Sequence, residues 1–233
     1  MKDPYVQDNG TLKNKLNISD SKVLYVKELE YSSVRLFELF SRKKNLKRTY
    51  DLKHLKNIHK YIFNDIYDWA GKIRNVDISK GNTLFCKAIN IENYSENIFS
   101  EIKRKDFFIN NSKEELAHNL AKTFLDINAL HPFREGNGRT QREFIRELAE
   151  DRGYNLNFKN ITKDQMIELS IKDDPKELAK VFLNNMEKIQ EKEIENPFEK
   201  LLKERENSLE NNKDTSSWEK KLSNDRKSLI LGK

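Results

Sequence analysis

The chain has 233 residues, 44 Lys plus Arg against 38 Asp plus Glu, 36% apolar residues and a single cysteine. That length buries a real core, the lone Cys86 excludes an intrachain disulfide framework or a cysteine zinc cluster, and no apolar run exceeds five residues where a bilayer needs roughly 20. The formal charge of +6 invites a nucleic-acid reading, but residues 190–233 hold ten basic and ten acidic side chains, so the whole excess sits in residues 1–189, diluted over solvated lysines rather than gathered into a groove-reading motif.

Seven Gly and four Pro in the whole chain argue for long helices rather than many short strands. The fold class is mainly α. Taken in chain order, apolar periodicity places helices over residues 22–40, 51–69, 92–105, 113–130, 139–151 and 163–189. Asp51, Ser112 and Thr162 stand where a side-chain oxygen caps an orphan backbone N–H, and Pro132 and Gly153 act as stops. Between the second and third helices, residues 73–89 alternate apolar and polar on both sides of Ser79-Lys80-Gly81-Asn82, which reads as a β-hairpin or, alternatively, a plain helix connector. A hairpin is marginal alone and has to lean on helices, and its free edge accepts an extended peptide by strand addition. Past Ile194 apolar residues thin out, which marks 191–233 as a charged tail, helical or loosely ordered.

The chemistry concentrates between Asn128 and Ile145. An apolar helix ends at Leu130, Pro132 forbids its continuation, and Gly136-Asn137-Gly138 leads into the next helix. A loop feeding a helix N-terminus offers unpaired N–H groups and the positive end of the dipole to anions, and glycines let a phosphate approach the backbone. Arg139 and Arg142, three apart, share a helix face and can grip more than one phosphate. His131, among these cations, resists a further proton and stays neutral, as a general base must. Glu135 supplies a hard oxygen suited to Mg²⁺. A histidine before proline is by itself a cap or core residue, and Gly-Asn-Gly by itself a turn. All of these within twelve residues ask for phosphoryl or nucleotidyl transfer. No Gly-x-x-x-x-Gly-Lys-Ser/Thr segment occurs, so a P-loop is not the explanation.

His131-Pro-Phe-Arg-Glu-Gly-Asn-Gly-Arg-Thr-Gln-Arg142 resembles the Fic-domain signature without a departure. Asp3-Pro-Tyr with Gly10-Thr-Leu-Lys-Asn resembles that family's N-terminal lead-in, and Ile66 to Arg74 its approach to a target-docking flap. The resemblance implies a helical bundle with a β-hairpin flap at about residues 73–90 over the active site, a catalytic domain over 1–190, and a tail outside it at 191–233. It implies transfer of AMP from ATP to a Ser, Thr or Tyr hydroxyl of a target protein. By position, His131 is then the base, Glu135 the Mg²⁺ ligand, and Gly136, Asn137 and Gly138 the anion hole. Arg139 and Arg142 meet the phosphates, Phe133 packs in the core, and Lys80 and Gly81 clamp the target as an added strand. Kinase-like relatives replace the glycines at the positions of Gly136 and Gly138, both kept here, which favours AMP over another phosphate-containing group.

Many relatives carry an inhibitory Ser/Thr-x-x-x-Glu-Gly/Asn helix. The nearest approach here is Thr215 to Glu219, followed by Lys220 instead of Gly or Asn, so the resemblance favours restraint by a small antitoxin-like partner and leaves restraint by this tail segment as the alternative. The expected place is the cytoplasm, as in cell-filamentation and toxin relatives, since the start of the sequence shows no apolar leader. The competing reading is a basic helical nucleic-acid-binding protein without catalysis, which predicts steeply salt-dependent DNA binding and no use for ATP.

Overall fold

The computed structural model describes residues 3–81 and 83–190. By its internal contacts the chain divides into Met1–Ile189 and Gln190–Lys233; the near-match at Thr215 to Glu219 lies outside the described residues.

The first unit is helical, with two small two-stranded antiparallel sheets. Helix α1 (Ser21–Phe40) is followed by α2 (Leu52–Phe63), the strands β1 (Ser79–Lys80) and β2 (Thr83–Leu84), α3 (Ile91–Arg104), α4 (Lys113–Leu130) and α5 (Asn137–Glu150). Strand β3 (Tyr154–Leu156), α6 (Lys163–Lys172), α7 (Pro175–Asn184) and β4 (Met186–Lys188) complete it. Helix α4 lies at the centre, packed on α3, α5 and α7, while α2 packs on α1 and α5. The core between them is apolar: Ile58, Ile62 and Phe63 of α2, Leu120 and Leu130 of α4, Phe144, Ile145 and Leu148 of α5, and Phe182 of α7 are all fully buried.

The three expected caps are made. Asp51 accepts from the His54 N–H at 2.8 Å, Thr162 from Gln165 at 3.1 Å, and Ser112 forms a capping box with Glu115. Two expected spans are corrected. The second helix stops at Phe63, where the chain turns through Asn64 to Gly71 instead of continuing to residue 69. The span 163–189 is two helices and a strand. Asp173 closes α6 in the left-handed conformation, Asp174 caps α7 by accepting from the Lys176 N–H, and Pro175 takes the first helical position. β4 then pairs with β3, Leu156 opposite Met186.

The hairpin at 73–90 is also shorter than the alternation suggests. Only Ser79↔Leu84 and Lys80↔Thr83 pair, around a turn in which Gly81 is left-handed with open space about it. Its stem is stitched instead to the end of α4: the Arg74 N–H donates to Pro132 O and the Cys86 N–H to Ala129 O, both at 2.9 Å. This gives the short flap the helix support that a hairpin of this size lacks by itself.

Candidate active site

The loop between α4 and α5 is built from both its ends. His131 closes α4 as a left-handed C-cap residue, φ 44°, with its N–H donating to Ile127 O at 3.0 Å. That conformation is costly outside glycine. It turns the chain into Pro132 and buries Phe133 completely. Asn137, at the start of α5, closes the loop on itself: its Oδ1 accepts from the Phe133 N–H at 2.8 Å and its Nδ2 donates to Phe133 O at 2.7 Å. The side chain of Asn137 thus shapes the loop while its backbone joins the helix N-terminus. Gly136 is required twice over, since it is left-handed (φ 81°) and a Cβ there would meet the Phe63 ring at 2.4 Å.

His131 is the candidate base of the loop. Its Nδ1 lies 3.2 Å from Asn128 O, which can only accept, so the proton sits on Nδ1 and Nε2 keeps a free lone pair. The ring stacks on Phe85 of the flap, centroids 3.7 Å apart. Its pKa is lowered to about 4, first by burial and then by the charges of Arg74 and Lys80. The neutrality expected from the sequence is present, but its cause differs: burial leads, and the contributing cations come from the flap region rather than from Arg139 and Arg142.

Arg74 is the residue that pattern reading passes over. It is 1% exposed, and its guanidinium donates to His131 O at 2.9 Å, to Val76 O at 2.7 Å and to Cys86 O. One side chain thereby ties both arms of the flap stem to the backbone of the base. His59, fully buried, does the same for the other half of the loop. It accepts from the Gly71 N–H through Nδ1 at 2.8 Å, faces Glu135 O through Nε2 at 2.9 Å, and stacks on Phe133 at 3.9 Å between centroids. No local signal marks Arg74 or His59, because the loop residues they hold, His131 and Glu135, lie 57 and 76 residues away.

The first turn of α5 faces the mouth of the site. Glu135 is exposed; its Oε1 accepts from the Gly136 N–H at 2.9 Å and lies 3.9 Å from Arg139 Nη2. Arg139 donates to Ser32 Oγ at 2.9 Å and to Glu28 Oε1, and lies over the Phe63 ring. Arg142 contrasts with it. Its guanidinium lies beside Gly138, where an added Cβ would be 3.4 Å from Nη1, and among the described residues it has no hydrogen-bond or ion-pair partner. Burial and the neighbouring Arg139 charge push its pKa down, and a guanidinium in that position calls for an anion. The structure therefore brings His131, Glu135, Gly136, Asn137, Gly138, Arg139 and Arg142 to one loop and one helix start. Lys80 reaches the site through its charge on His131, whereas Gly81 stays at the exposed flap tip.

A loop of this build, at the junction of two core helices with a flap beside it, joins a neutral histidine to a helix start and to arginines, the chemistry of a candidate anion site. The Fic/DOC family model matches residues 49–149. The protein adenylyltransferase VbhT of Bartonella schoenbuchensis is 38% identical over 170 residues, which is 72% of this chain and 35% of that one. The "Probable protein adenylyltransferase Fic" of Escherichia coli K12 is 33% identical over 166 residues, 70% of this chain and 80% of that one. Among solved structures, the N-terminal Fic domain of a VirB-translocated Bep effector protein from Bartonella quintana, with bound ADP, superposes with a TM-score of 0.72 at 25% identity, over 80% of this chain and 95% of that one. The type IV secretion system effector protein BepA gives 0.70 at 27%, over 89% and 73%. The chain belongs to the Fic/DOC family. It spans about a third of the length of VbhT and about four-fifths of the Escherichia coli relative.

Proposed function

We propose that the protein is a nucleotidyltransferase that moves AMP from ATP to a Ser, Thr or Tyr hydroxyl of another protein. The observation that carries this reading is Arg142, a partly buried cation on α5 with no anionic partner among the described residues, on the helix that the loop from His131, whose Nε2 is free, leads into. In this reading the triphosphate lies over the Gly136 to Gly138 backbone with Arg142 on its charge. His131 Nε2 takes the proton of the target hydroxyl, the hydroxyl oxygen bonds to the α-phosphorus, and the bond from the α-phosphorus to the bridging oxygen breaks to release pyrophosphate. Positioning and charge neutralisation do most of the work.

Glu135 is the residue suited to Mg²⁺. A single exposed carboxylate beside a phosphate site suits an ion that would be held mainly by substrate phosphates. Such an ion supplies charge neutralisation on the phosphate oxygens.

The target lies along the flap, its segment pairing with the exposed Ser79–Lys80 and Thr83–Leu84 ladder and bringing its hydroxyl to His131. The proposed domain limits are 1–190 as catalytic and 191–233 as tail; the grouping of Met1–Ile189 by internal contacts supports them. A small antitoxin-like partner is supported by α1, whose Val23, Val26, Leu29, Val34, Phe37 and Phe40 are exposed. An apolar face of that extent on a 20-residue helix suits a partner helix. No described helix is long and apolar enough to cross a membrane. The effector names of the Bartonella relatives favour delivery out of the producing cell over the cytoplasmic place expected from the sequence.

Incubation with ATP labelled at the α-phosphate, Mg²⁺ and cell lysate should mark a protein band that His131→Ala fails to mark. Label transferred only from the γ-phosphate would overturn AMP transfer in favour of phosphate transfer.

A further inference from the structure

The two arginines of the loop helix lie three residues apart in entirely different surroundings. Arg142 has no partner among the described residues, whereas Arg139 is fully committed. Its Nη1 donates to Ser32 Oγ at 2.9 Å, its Nη2 donates to Glu28 Oε1, and its guanidinium carbon lies 4.7 Å from the centroid of the Phe63 ring. Glu28 is itself 4% exposed, and its other oxygen accepts from the Tyr67 hydroxyl; Ser32 is 1% exposed. A carboxylate taken so far out of water is retained only where it is paired and hydrogen-bonded on both oxygens. Ser32, Glu28, Tyr67 and Phe63 surround Arg139 with fixed groups, so the guanidinium has one orientation. Its Nη2 is turned toward Glu135, 3.9 Å away. Glu28 and Ser32 belong to α1, outside the 49–149 region that the family model matches.

We propose that Glu28, assisted by Ser32 and Tyr67, is a positioning residue of the active site: it holds Arg139 as a strut between α1 and the first turn of α5, and leaves Arg142 to take the charge of the nucleotide. The division of labour follows from charge. The Glu28 carboxylate offsets the Arg139 cation, so the uncompensated positive charge facing a triphosphate is that of Arg142. Arg139 then sets where the loop and Glu135 stand, and its loss is felt in the rate of the step more than in the hold on ATP. Helix α1 becomes a working part of the site through a side chain on its buried face, opposite the apolar face it leaves exposed.

The rate part of this inference rests on the AMP-transfer reading, and the binding part does not. The full chain and the variants Glu28→Gln, Arg139→Ala, Glu28→Gln/Arg139→Ala and Arg142→Ala are compared by labelled-AMP transfer and by calorimetric titration with ATP and Mg²⁺ in the absence of any target. Glu28→Gln and Arg139→Ala should each lower kcat at least tenfold with the ATP Kd changed by less than threefold, and the double variant should be no slower than Arg139→Ala. Arg142→Ala should weaken ATP binding at least tenfold. A wild-type kcat in Glu28→Gln, multiplying losses in the double variant, or equal weakening of ATP binding by Arg139→Ala and Arg142→Ala would each overturn the proposal. Where Glu28→Gln does not fold, Ser32→Ala removes one anchor of Arg139 without orphaning a charge. A several-fold lower kcat at unchanged Kd then supports the strut, and an unchanged kcat overturns it. Should the wild type transfer no label, the AMP-transfer reading has failed, and the contrast in ATP Kd between Arg139→Ala and Arg142→Ala decides the strut by itself.

Discussion

His131 and His59 are both kept neutral by burial, to different ends. His131 keeps Nε2 free, as the proposed base must, whereas His59 spends both ring nitrogens on holding the loop. Their pKa values fall from 6.5 to about 4 and about 3. A depressed histidine pKa means that the unfolded chain binds protons at a pH where the folded one does not. Stability is therefore full above pH 6.5 and is lost as the pH falls toward 4. Each histidine contributes a slope approaching ~1.4 kcal/mol per pH unit within that window. Urea unfolding measured between pH 6.5 and 5, above most carboxylate titration, should show declining stability, and His59→Gln should be less stable at pH 7 yet less sensitive to acid. An unchanged slope in His59→Gln would show that His59 is not held neutral in the fold. Catalysis reports on His131 alone: its rate should hold level down to about pH 5 and drop only as pH approaches 4, wherever the protein stays folded.

Among the elements, the turn from α4 into α5 is held most tightly, and Gly136 is where it fails first. A side chain there adopts an unfavourable left-handed conformation and overlaps the Phe63 ring. Gly136→Ala should therefore cost about 2–4 kcal/mol by thermal or urea unfolding and abolish transfer, because the N–H and the hydroxyl of Thr140 both donate to Gly136 O at the start of α5. Gly153→Ala is the control, left-handed but with open space around it, and should cost only about 1 kcal/mol. Equal losses would mean that Phe63 does not press on the loop. Most elements of this kind were legible in the sequence because their signals are local: Asp51, Ser112 and Thr162 cap within three residues, and the His131 to Arg142 loop is one contiguous string. The division between α6 and α7 was masked by an apolar period running through Asp173, Asp174 and Pro175, although two capping residues and a proline mark it. The contributions of Arg74, His59 and Glu28 could not be read locally, because each meets the site across 57 to 111 residues of chain. A buried cation on backbone carbonyls leaves no pattern in composition or periodicity.

For the whole molecule, the +6 charge poses the choice between nucleic acid and nucleotide. Several of the cations are already internally balanced: Arg35 pairs with Glu38 and Asp65, Arg48 with Glu150 and Asp151, Arg146 with Glu143, and Lys122 with Glu101 and Asp126. Such pairs offset cations that a polyanion would otherwise meet, while Arg142 is left without a carboxylate partner among the described residues. The two readings then separate by linkage. A ligand that binds only the folded state adds about 2.7 kcal/mol of stability at a hundredfold excess over its Kd. ATP with Mg²⁺ should accordingly raise the melting temperature of the wild type by several degrees and that of Arg142→Ala hardly at all. Duplex DNA at low salt should give a smaller shift, shared by both proteins and gone by 0.2 M salt, where counterion release no longer favours it. A larger shift with DNA than with ATP, persisting in Arg142→Ala, would return the protein to the nucleic-acid class despite its loop.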